Sequence, residues 1–236
     1  MYSPLMQWKA GPGKKVGIFG LGGLGHKGVK IAHGLGAEVS VLSHSLKKQE
    51  GGMRMGADSF YATSDPETFK KLKGYFDLLI NTLSVEIDWD NYLSLLRLDG
   101  TMVVVGNSGK KSPIGASTLI NARRSLAGSV IGGIRETQEM LDFCSKHNIG
   151  SDIEVVPILK VNDAYERVVK SDVRYRFVID MKSLSYSSCD ERREGVLQHL
   201  LGNYGKIILT WNPLDNLPTA APKTENLQNL FVVNQN

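Results

Sequence analysis

A glycine-rich turn near the start of the chain constrains the fold more than any other feature. Residues 15–20 (KVGIFG) have the character of a short buried strand, and residues 20–25 (GLGGLG) follow at once. Residues 24–35 carry apolar side chains at helical spacing, and residues 38–42 (EVSVL) predict a second strand. This succession within about 30 residues predicts a βαβ unit with parallel strands.

The alternation of strands and helices continues to about residue 150. Further strands are predicted at residues 59–62, 76–81, 101–105 and 125–131, and helices at residues 47–55, 90–96 and 136–146. The 25 glycines among 236 residues also favour an α/β protein with many tight turns. We therefore expect an α/β fold of the Rossmann type, a doubly wound parallel sheet with helices on both faces.

The pattern changes after residue 150. Strands are predicted at residues 154–158 and 176–181, with a helix at residues 161–170 between them and Asn162 as its N-cap. From residue 183 the chain is more polar, with a helix-like stretch at residues 196–201 and a strand-like one at residues 206–211. We expect the proline-containing end to be poorly ordered.

Three glycines in the turn, Gly20, Gly22 and Gly25, have the spacing of a dinucleotide-binding motif. The first allows a tight turn, the second lets the backbone approach a pyrophosphate, and the third lets the helix pack closely on the strand. The helix N-terminus then offers N–H groups to the phosphates. Because a strand precedes the motif and a helix follows it, dinucleotide binding is favoured over a glycine-rich turn without a ligand.

The end of the second predicted strand indicates which dinucleotide is bound. A carboxylate there would bind the ribose 2′-hydroxyl and favour NAD. This chain instead has Ser43 and His44, followed by Lys47 and Lys48. Hydroxyl and ammonium groups can bind a 2′-phosphate, so the sequence favours NADP. The alternative is that the two lysines only form a solvated helical turn.

Catalytic and metal-binding side chains are not indicated. Cys144 and Cys189 lie in no CxxC or Cys/His cluster, and the five histidines have no ligand spacing. We predict no catalytic residue and no metal ligand, a core position for Cys144, and packing or surface positions for His26 and His33.

Partners and location follow from charge and hydropathy. The formal net charge is +4, and no run of Lys and Arg is long enough to favour nucleic acid or a membrane surface. No signal peptide is visible, and no apolar run approaches the roughly 20 residues of a membrane span. Two isolated cysteines suit a reducing compartment. A cytoplasmic location is expected.

Several segments together resemble the zinc-dependent medium-chain alcohol dehydrogenases, within the cinnamyl-alcohol dehydrogenase group. They are residues 2–5 (YSPL), 11–39 (GPGKKVGIFGLGGLGHKGVKIAHGLGAEV), 96–106 (LRLDGTMVVVG), 123–144 (RRSLAGSVIGGIRETQEMLDFC) and 163–181 (DAYERVVKSDVRYRFVIDM). The resemblance covers about residues 1–182. It implies an NADP-dependent oxidoreductase that interconverts primary alcohols and aldehydes with a catalytic zinc.

The resemblance also implies cofactor-binding positions. Gly22, Gly23 and Leu24 would meet the pyrophosphate, while Ser43 and Lys48 would hold the 2′-phosphate with Lys47 nearby. A second hydroxyl usual in the family is replaced by His44. Residues 82–83, 105–106 and 129–131 would wall the adenosine and nicotinamide at strand ends. The complete predicted set is Gly20, Gly22, Gly23, Leu24, Gly25, Ser43, Lys47, Lys48, Thr82, Val105, Gly106, Ser129 and Ile131.

A division of the chain follows from the same resemblance. Residues 1–13 would be the remnant of an interdomain segment, 14–150 the NADP-binding domain, and 151–182 elements that in the family pack on a catalytic domain. Residues 183–236 form an unassigned tail. In the family the zinc ligands lie in an N-terminal domain that these residues do not match, so we expect a truncated product that does not oxidise alcohols alone.

Two other functions remain open. One alternative is a catalytically dead module that binds NADP or dimerises. The other is a zinc-free reductase of the same superfamily. In the family the sixth strand pairs with its copy across a two-fold axis. A homodimer through the strand at residues 125–131 is therefore expected.

Overall fold

Six parallel strands form the central sheet of the computed structural model, which describes residues 1–111, 113–170 and 172–184. The strands are β1 (Lys15–Phe19), β2 (Glu38–Ser43), β3 (Ser59–Ala62), β4 (Phe76–Asn81), β5 (Leu96–Val104) and β6 (Ser125–Gly128). Their spatial order is β3-β2-β1-β4-β5-β6, and every neighbouring pair is parallel. This is the order of a doubly wound Rossmann sheet, so the predicted fold class is confirmed.

Helices precede, connect and follow these strands and cover both faces of the sheet. They are α1 (Tyr2–Gln7), α2 (Gly25–Gly34), α3 (Gln49–Arg54), α4 (Pro66–Lys71), α5 (Trp89–Leu93), α6 (Ala116–Ile120), α7 (Ile134–Lys146) and α8 (Val161–Val169). Short 3-10 turns occupy Leu46–Lys48, Ile158–Lys160 and Met181–Ser183. In the part of the chain that the structure describes, none of the helices has the length and apolar character to cross a bilayer.

Two apolar clusters, one on each face of the sheet, hold these layers together. Val16 and Ile18 of β1 pack in one cluster with residues of α1, α2 and α7. Phe19, on the opposite face of the same strand, packs in the other cluster with Leu72 and Leu93. Alternate residues of a strand face opposite sides, so β1 contributes to both clusters.

A second, two-stranded sheet follows α7. Its strands, β7 (Ile153–Pro157) and β8 (Arg176–Asp180), are parallel and are connected through α8. Tyr175, just before β8, is buried in the same apolar cluster as α2. Arg167 of α8 pairs with Glu154 and Asp172, and these ion pairs bind α8 to its neighbouring segments.

Several predicted boundaries were wrong. β6 ends at Gly128, not at residue 131, because its partner β5 ends at Val104 and offers no further ladder. The helix predicted at residues 90–96 ends at Leu93, since Leu96 already pairs with Phe76 in the sheet. β5 begins at Leu96 instead of residue 101 and is therefore longer than predicted. The helices α1, α4 and α6 were not predicted.

The predicted cap of α8 was also wrong. Asn162 lies inside the first turn of the helix, and Lys160 occupies the cap position without a side-chain cap bond. The preceding 3-10 turn, Ile158–Lys160, leads directly into the helix. The features predicted at residues 196–201 and 206–211, together with Cys189, lie outside the described residues.

Candidate functional site

The glycine-rich turn lies at the carboxyl end of β1, and its three motif glycines differ in what a side chain would meet. Gly20 has a φ of +84°, and a Cβ there would come within 3.0 Å of the Thr82 hydroxyl oxygen. A Cβ on Gly25 would overlap the carbonyl oxygen of Gly20, so only glycine lets α2 begin so close to β1. A Cβ on Gly22 would meet no atom of the described chain within 4 Å. Gly22 therefore faces open space.

That open space is a crevice between the carboxyl ends of β1 and β4. A cavity of about 360 Å³ fills it. Its lining residues are Gly20, Gly22, Gly23, Leu24, Thr82, Leu83, Ser84 and Arg176. The strand order reverses between β1 and β4, and open α/β sheets bind their ligands at such a reversal, outside the carboxyl ends of the strands.

Three consecutive carbonyl groups of the turn each accept a hydrogen bond from a nitrogen-bearing side chain. Lys48 Nζ donates to the Leu21 oxygen at 3.1 Å, and His26 Nδ1 donates to the Gly22 oxygen at 3.0 Å. Arg176 Nη2 donates to the Gly23 oxygen at 3.0 Å. Two of these donors, the ammonium and the guanidinium, place positive charge beside the N-terminus of α2. The site therefore favours an anion.

The side chain of Lys48 is held back against the glycine turn. With Gly22 and Gly23 it lines a second cavity of about 480 Å³, whose remaining walls come mainly from α8, β7 and β8. Burial, followed by the charge of Arg174, lowers the pKa of Lys48. Ser43 is not among the residues that line this cavity.

The other residues predicted around a 2′-phosphate lie at the end of β2. Ser43 is the last residue of that strand and is half-buried, while Lys47 is exposed in the 3-10 turn that follows. The acidic residue of β2, Glu38, lies at the opposite end of the strand. It accepts a hydrogen bond from the Tyr75 hydroxyl at 2.5 Å, which raises the pKa of Tyr75 to about 12.

The remaining predicted positions border a third cavity of about 290 Å³. Leu24, Val105, Ser129 and Ile131 line it together with residues 1–4 of the N-terminal segment. Gly106 is not among the residues that line this cavity, and a Cβ there would overlap the backbone of residues 82–83. The missing side chain of Gly106 thus lets the ends of β4 and β5 come together. The Leu83 N–H donates to the Asn81 side-chain oxygen at 2.9 Å.

Arg176 and Tyr175 were missed by the sequence reasoning. Arg176 is 153 residues away from Gly23 along the chain, so no motif spacing relates them. The only signal was a basic residue at the start of a predicted strand. Cys144 is buried as expected, with Sγ 3.7 Å from the Met140 sulfur.

Metal ligands are not brought together in the part of the chain that can be described. Across residues 1–111, 113–170 and 172–184, no three His, Cys, Asp or Glu side chains are placed to hold an ion. Cys144 and His147, three residues apart, do not form part of such a group. The His147 ring stacks on Phe143, with ring centroids 4.3 Å apart.

Comparison with known proteins decides the family. A sequence profile described as zinc-binding dehydrogenase matches residues 23–146, which is just over half of the chain. The chain belongs to this family of zinc-binding dehydrogenases. The matched segment begins in the glycine turn and runs to the end of α7.

Two curated members of the family illustrate the similarity. NADP-dependent alcohol dehydrogenase C 1 of Mycolicibacterium smegmatis is 58% identical over 183 residues, covering 78% of this chain and 52% of the relative. Aldehyde reductase YahK of Escherichia coli is 47% identical over 186 residues, covering 78% and 53%. The chain thus spans about half the length of the curated relatives it matches.

Solved structures of the family have the same fold. A cinnamyl alcohol dehydrogenase from Sorghum bicolor superposes with a TM-score of 0.74 at 41% identity, covering 76% of this chain and 51% of that one. The CAD from Helicobacter pylori, complexed with NADP(H), gives 0.70 at 38% identity, covering 77% and 52%. The predicted resemblance to the cinnamyl-alcohol dehydrogenase group is confirmed.

Proposed function

We propose that the described residues form the NADP(H)-binding part of a zinc-type alcohol dehydrogenase, an oxidoreductase that interconverts primary alcohols and aldehydes. The observation that carries the proposal is the crevice at the end of β1, where an open glycine turn meets the cations of Lys48 and Arg176. Support also comes from relatives whose names include NADP-dependent alcohol dehydrogenase and aldehyde reductase.

In this proposal the glycine turn binds the pyrophosphate. The first N–H groups of an α-helix have no partner within the helix, and Gly22, Gly23 and Leu24, which lead into α2, line the crevice. Arg176 neutralises pyrophosphate charge, because it lines the crevice and its guanidinium already lies within hydrogen-bond distance of the Gly23 carbonyl. Thr82 borders the same crevice, and Val105, Ser129 and Ile131 wall the continuation towards the N-terminal segment.

The 2′-phosphate is assigned to the end of β2. Ser43 offers a hydroxyl there, Lys47 an exposed ammonium group, and Lys48 a second cation within one turn. The strand ends without a carboxylate that would repel the phosphate. When bound, NADP supplies the group that accepts or donates the hydride.

Zinc does not fit the described residues. A catalytic zinc needs about three protein ligands, and no suitable group of three exists among residues 1–111, 113–170 and 172–184. Since zinc enzymes use the metal to stabilise an alkoxide, we propose that these residues bind the cofactor but do not oxidise an alcohol by themselves.

A complementation experiment tests this function. The purified chain is titrated with NADPH, analysed for zinc, and assayed for alcohol-dependent NADPH formation, alone and with the unmatched half of the M. smegmatis relative. We expect the chain alone to bind NADPH without turnover, and turnover to appear only in the mixture. Binding without turnover in either sample would support a catalytically dead module instead. Zinc and turnover in the chain alone would contradict the assignment of the active site.

A homodimer and a cytoplasmic location complete the proposal. β6 lies at the edge of the sheet and pairs only with β5 among the described strands. Beyond it, Val130, Ile131 and Ile134 expose apolar side chains. An unpaired edge is usually covered, and a second copy of β6 would cover it. The cytoplasmic assignment rests on the isolated cysteines, and cell fractionation tests it.

A further inference from the structure

His26, the second residue of α2, is fully buried directly beneath the glycine turn. Its Nδ1 lies 3.0 Å from the carbonyl oxygen of Gly22, and its backbone N–H donates to the same oxygen at 3.1 Å. A carbonyl oxygen only accepts, so Nδ1 carries the ring proton. One residue therefore holds the Gly22 carbonyl twice.

The other ring nitrogen, Nε2, is left as a buried acceptor. Among the described residues no donor reaches it. Burial lowers the pKa of His26, and the charges of Lys30, Lys27 and Arg176 act in the same direction against the backbone hydrogen bond. The lowered pKa favours the neutral ring, which acts through its Nδ1 hydrogen bond and its flat faces.

One face of the ring contacts the C-terminal part of the described chain. His26 and Tyr175 stack with centroids 5.0 Å apart and planes 10° apart. Tyr175 is itself buried and immediately precedes Arg176, whose guanidinium donates to the Gly23 carbonyl at 3.0 Å. The single imidazole thus touches the glycine turn through its edge and the segment that carries Arg176 through its face.

The Gly22 carbonyl matters because a peptide group is planar. Fixing the Gly22 oxygen fixes the Gly23 N–H, which points the opposite way in the same plane. The oxygen is directed into α2, so the N–H is directed towards the crevice. Glycines leave the turn many alternative conformations, and a hydrogen bond to the carbonyl removes them.

We infer that His26 is a positioning residue, which sets the glycine turn for a pyrophosphate and seats Arg176 over it. The inference rests on the proposed NADP(H) binding. It differs from a purely structural role for a core histidine, which would affect stability and all ligands alike. A positioning role predicts a loss confined to ligands that contain the pyrophosphate.

Three substitutions separate these roles. His26→Phe keeps a ring against Tyr175 but removes the donor, whereas His26→Asn keeps a donor close to the Nδ1 position but removes the ring. His33→Phe is the matched control, because His33 lies on the same helix and is exposed. If His26→Phe does not fold, His26→Gln replaces it, since that amide reaches the Nε2 position rather than Nδ1.

The measurements are the dissociation constants for NADPH and for adenosine 2′-monophosphate, which lacks the pyrophosphate, and the exchange rate of the Gly23 amide proton. We expect His26→Phe to weaken NADPH binding about tenfold, the effect of one lost hydrogen bond, and to speed Gly23 exchange. We expect the dissociation constant of His26→Phe for adenosine 2′-monophosphate to stay within about twofold of wild type. The loss of one hydrogen bond to this ligand would instead change that constant about tenfold. His26→Asn recovers most of the NADPH affinity, and His33→Phe binds like wild type.

The outcomes separate failure of NADP(H) binding from failure of the role given to His26. Failure of the unmodified chain to bind NADPH would overturn the proposed function. Binding by the unmodified chain together with equal NADPH affinity in His26→Phe would overturn the inference alone. An equal loss for both ligands, or no recovery in His26→Asn, would assign His26 a merely structural role.

Discussion

At the residue scale, Gly22 and Gly25 are close in sequence but differ in what a side chain would meet. We expect Gly22→Val to fold, because its Cβ enters open space, and to lose NADPH binding, because the branched side chain occupies the crevice. Gly25→Ala is the contrasting variant, and we expect it to lose the fold of the turn, since its Cβ overlaps the Gly20 carbonyl. Thermal melting and NADPH titration check both. Unchanged affinity in Gly22→Val would mean that the cofactor is not bound at this turn.

The buried ring of His26 makes the stability of the protein depend on pH. Its pKa in the folded chain lies below the ordinary value of 6.5, so below that pH the unfolded chain takes up a proton that the folded chain refuses. The free energy of unfolding therefore falls as the pH drops from about 6.5 towards the folded pKa. The groups facing the ring are Lys27, Lys30, Arg176 and, with the opposite sign, Asp152.

Denaturant unfolding of wild type and His26→Asn between pH 8 and pH 5 measures this effect. We expect the two proteins to have parallel profiles above about pH 7, and the wild type to lose more stability below about pH 6.5. Identical pH profiles throughout would show that His26 is protonated as readily in the folded protein as in the unfolded one.

Residue-scale prediction from the sequence succeeded where spacing carries the information. Gly20 and Gly25 have the steric environments that their motif positions imply, because both depend on atoms a few residues away. Arg176 could not be found this way, since it meets the turn only after the chain has formed the whole sheet. Lys48 donates to the Leu21 carbonyl in this structure, and its place beside a 2′-phosphate stays a prediction.

At the element scale, compact buried strands were predictable and short helices were not. β4 was predicted with its observed bounds, since all six of its residues are buried and four of them are apolar. α4 has only six residues, although Asp65 caps it and Pro66 begins it, a combination that could have revealed it. The start of β5 depends on pairing with β4, which no local pattern encodes.

The edge strand β6 provides a prediction at this scale. If two copies pair through β6, a charge on the strand should prevent pairing, because charged side chains protect natural edges. Leu126 is 36% exposed on β6, and we expect Leu126→Lys to shift the protein from dimer to monomer in light scattering at micromolar concentration. Val169→Lys, an exposed position on α8 outside the sheet, is the control that should remain dimeric. A wild-type protein that is strictly monomeric would refute the dimer.

At the scale of the whole molecule, the sequence predicted the sheet and the family. It did not predict how the segment after α7 returns to the glycine turn, because Tyr175 and Arg176 reach it through tertiary packing alone. That return brings the guanidinium of Arg176 to the glycine turn, which the ammonium group of Lys48 reaches from the segment after β2. The account of function depends on them, since a glycine turn by itself does not distinguish one dinucleotide from another.

The most direct test of that account is a comparison of NADPH and NADH binding by the unmodified chain at constant ionic strength. We expect tighter binding of NADPH, because a charge-assisted hydrogen bond to the 2′-phosphate contributes about 1.5–3 kcal/mol. The double variant Ser43→Asp with Lys48→Glu should reverse the preference, since its carboxylates repel the phosphate and can bind the ribose hydroxyl. Equal dissociation constants for NADPH and NADH in the unmodified chain would contradict the account.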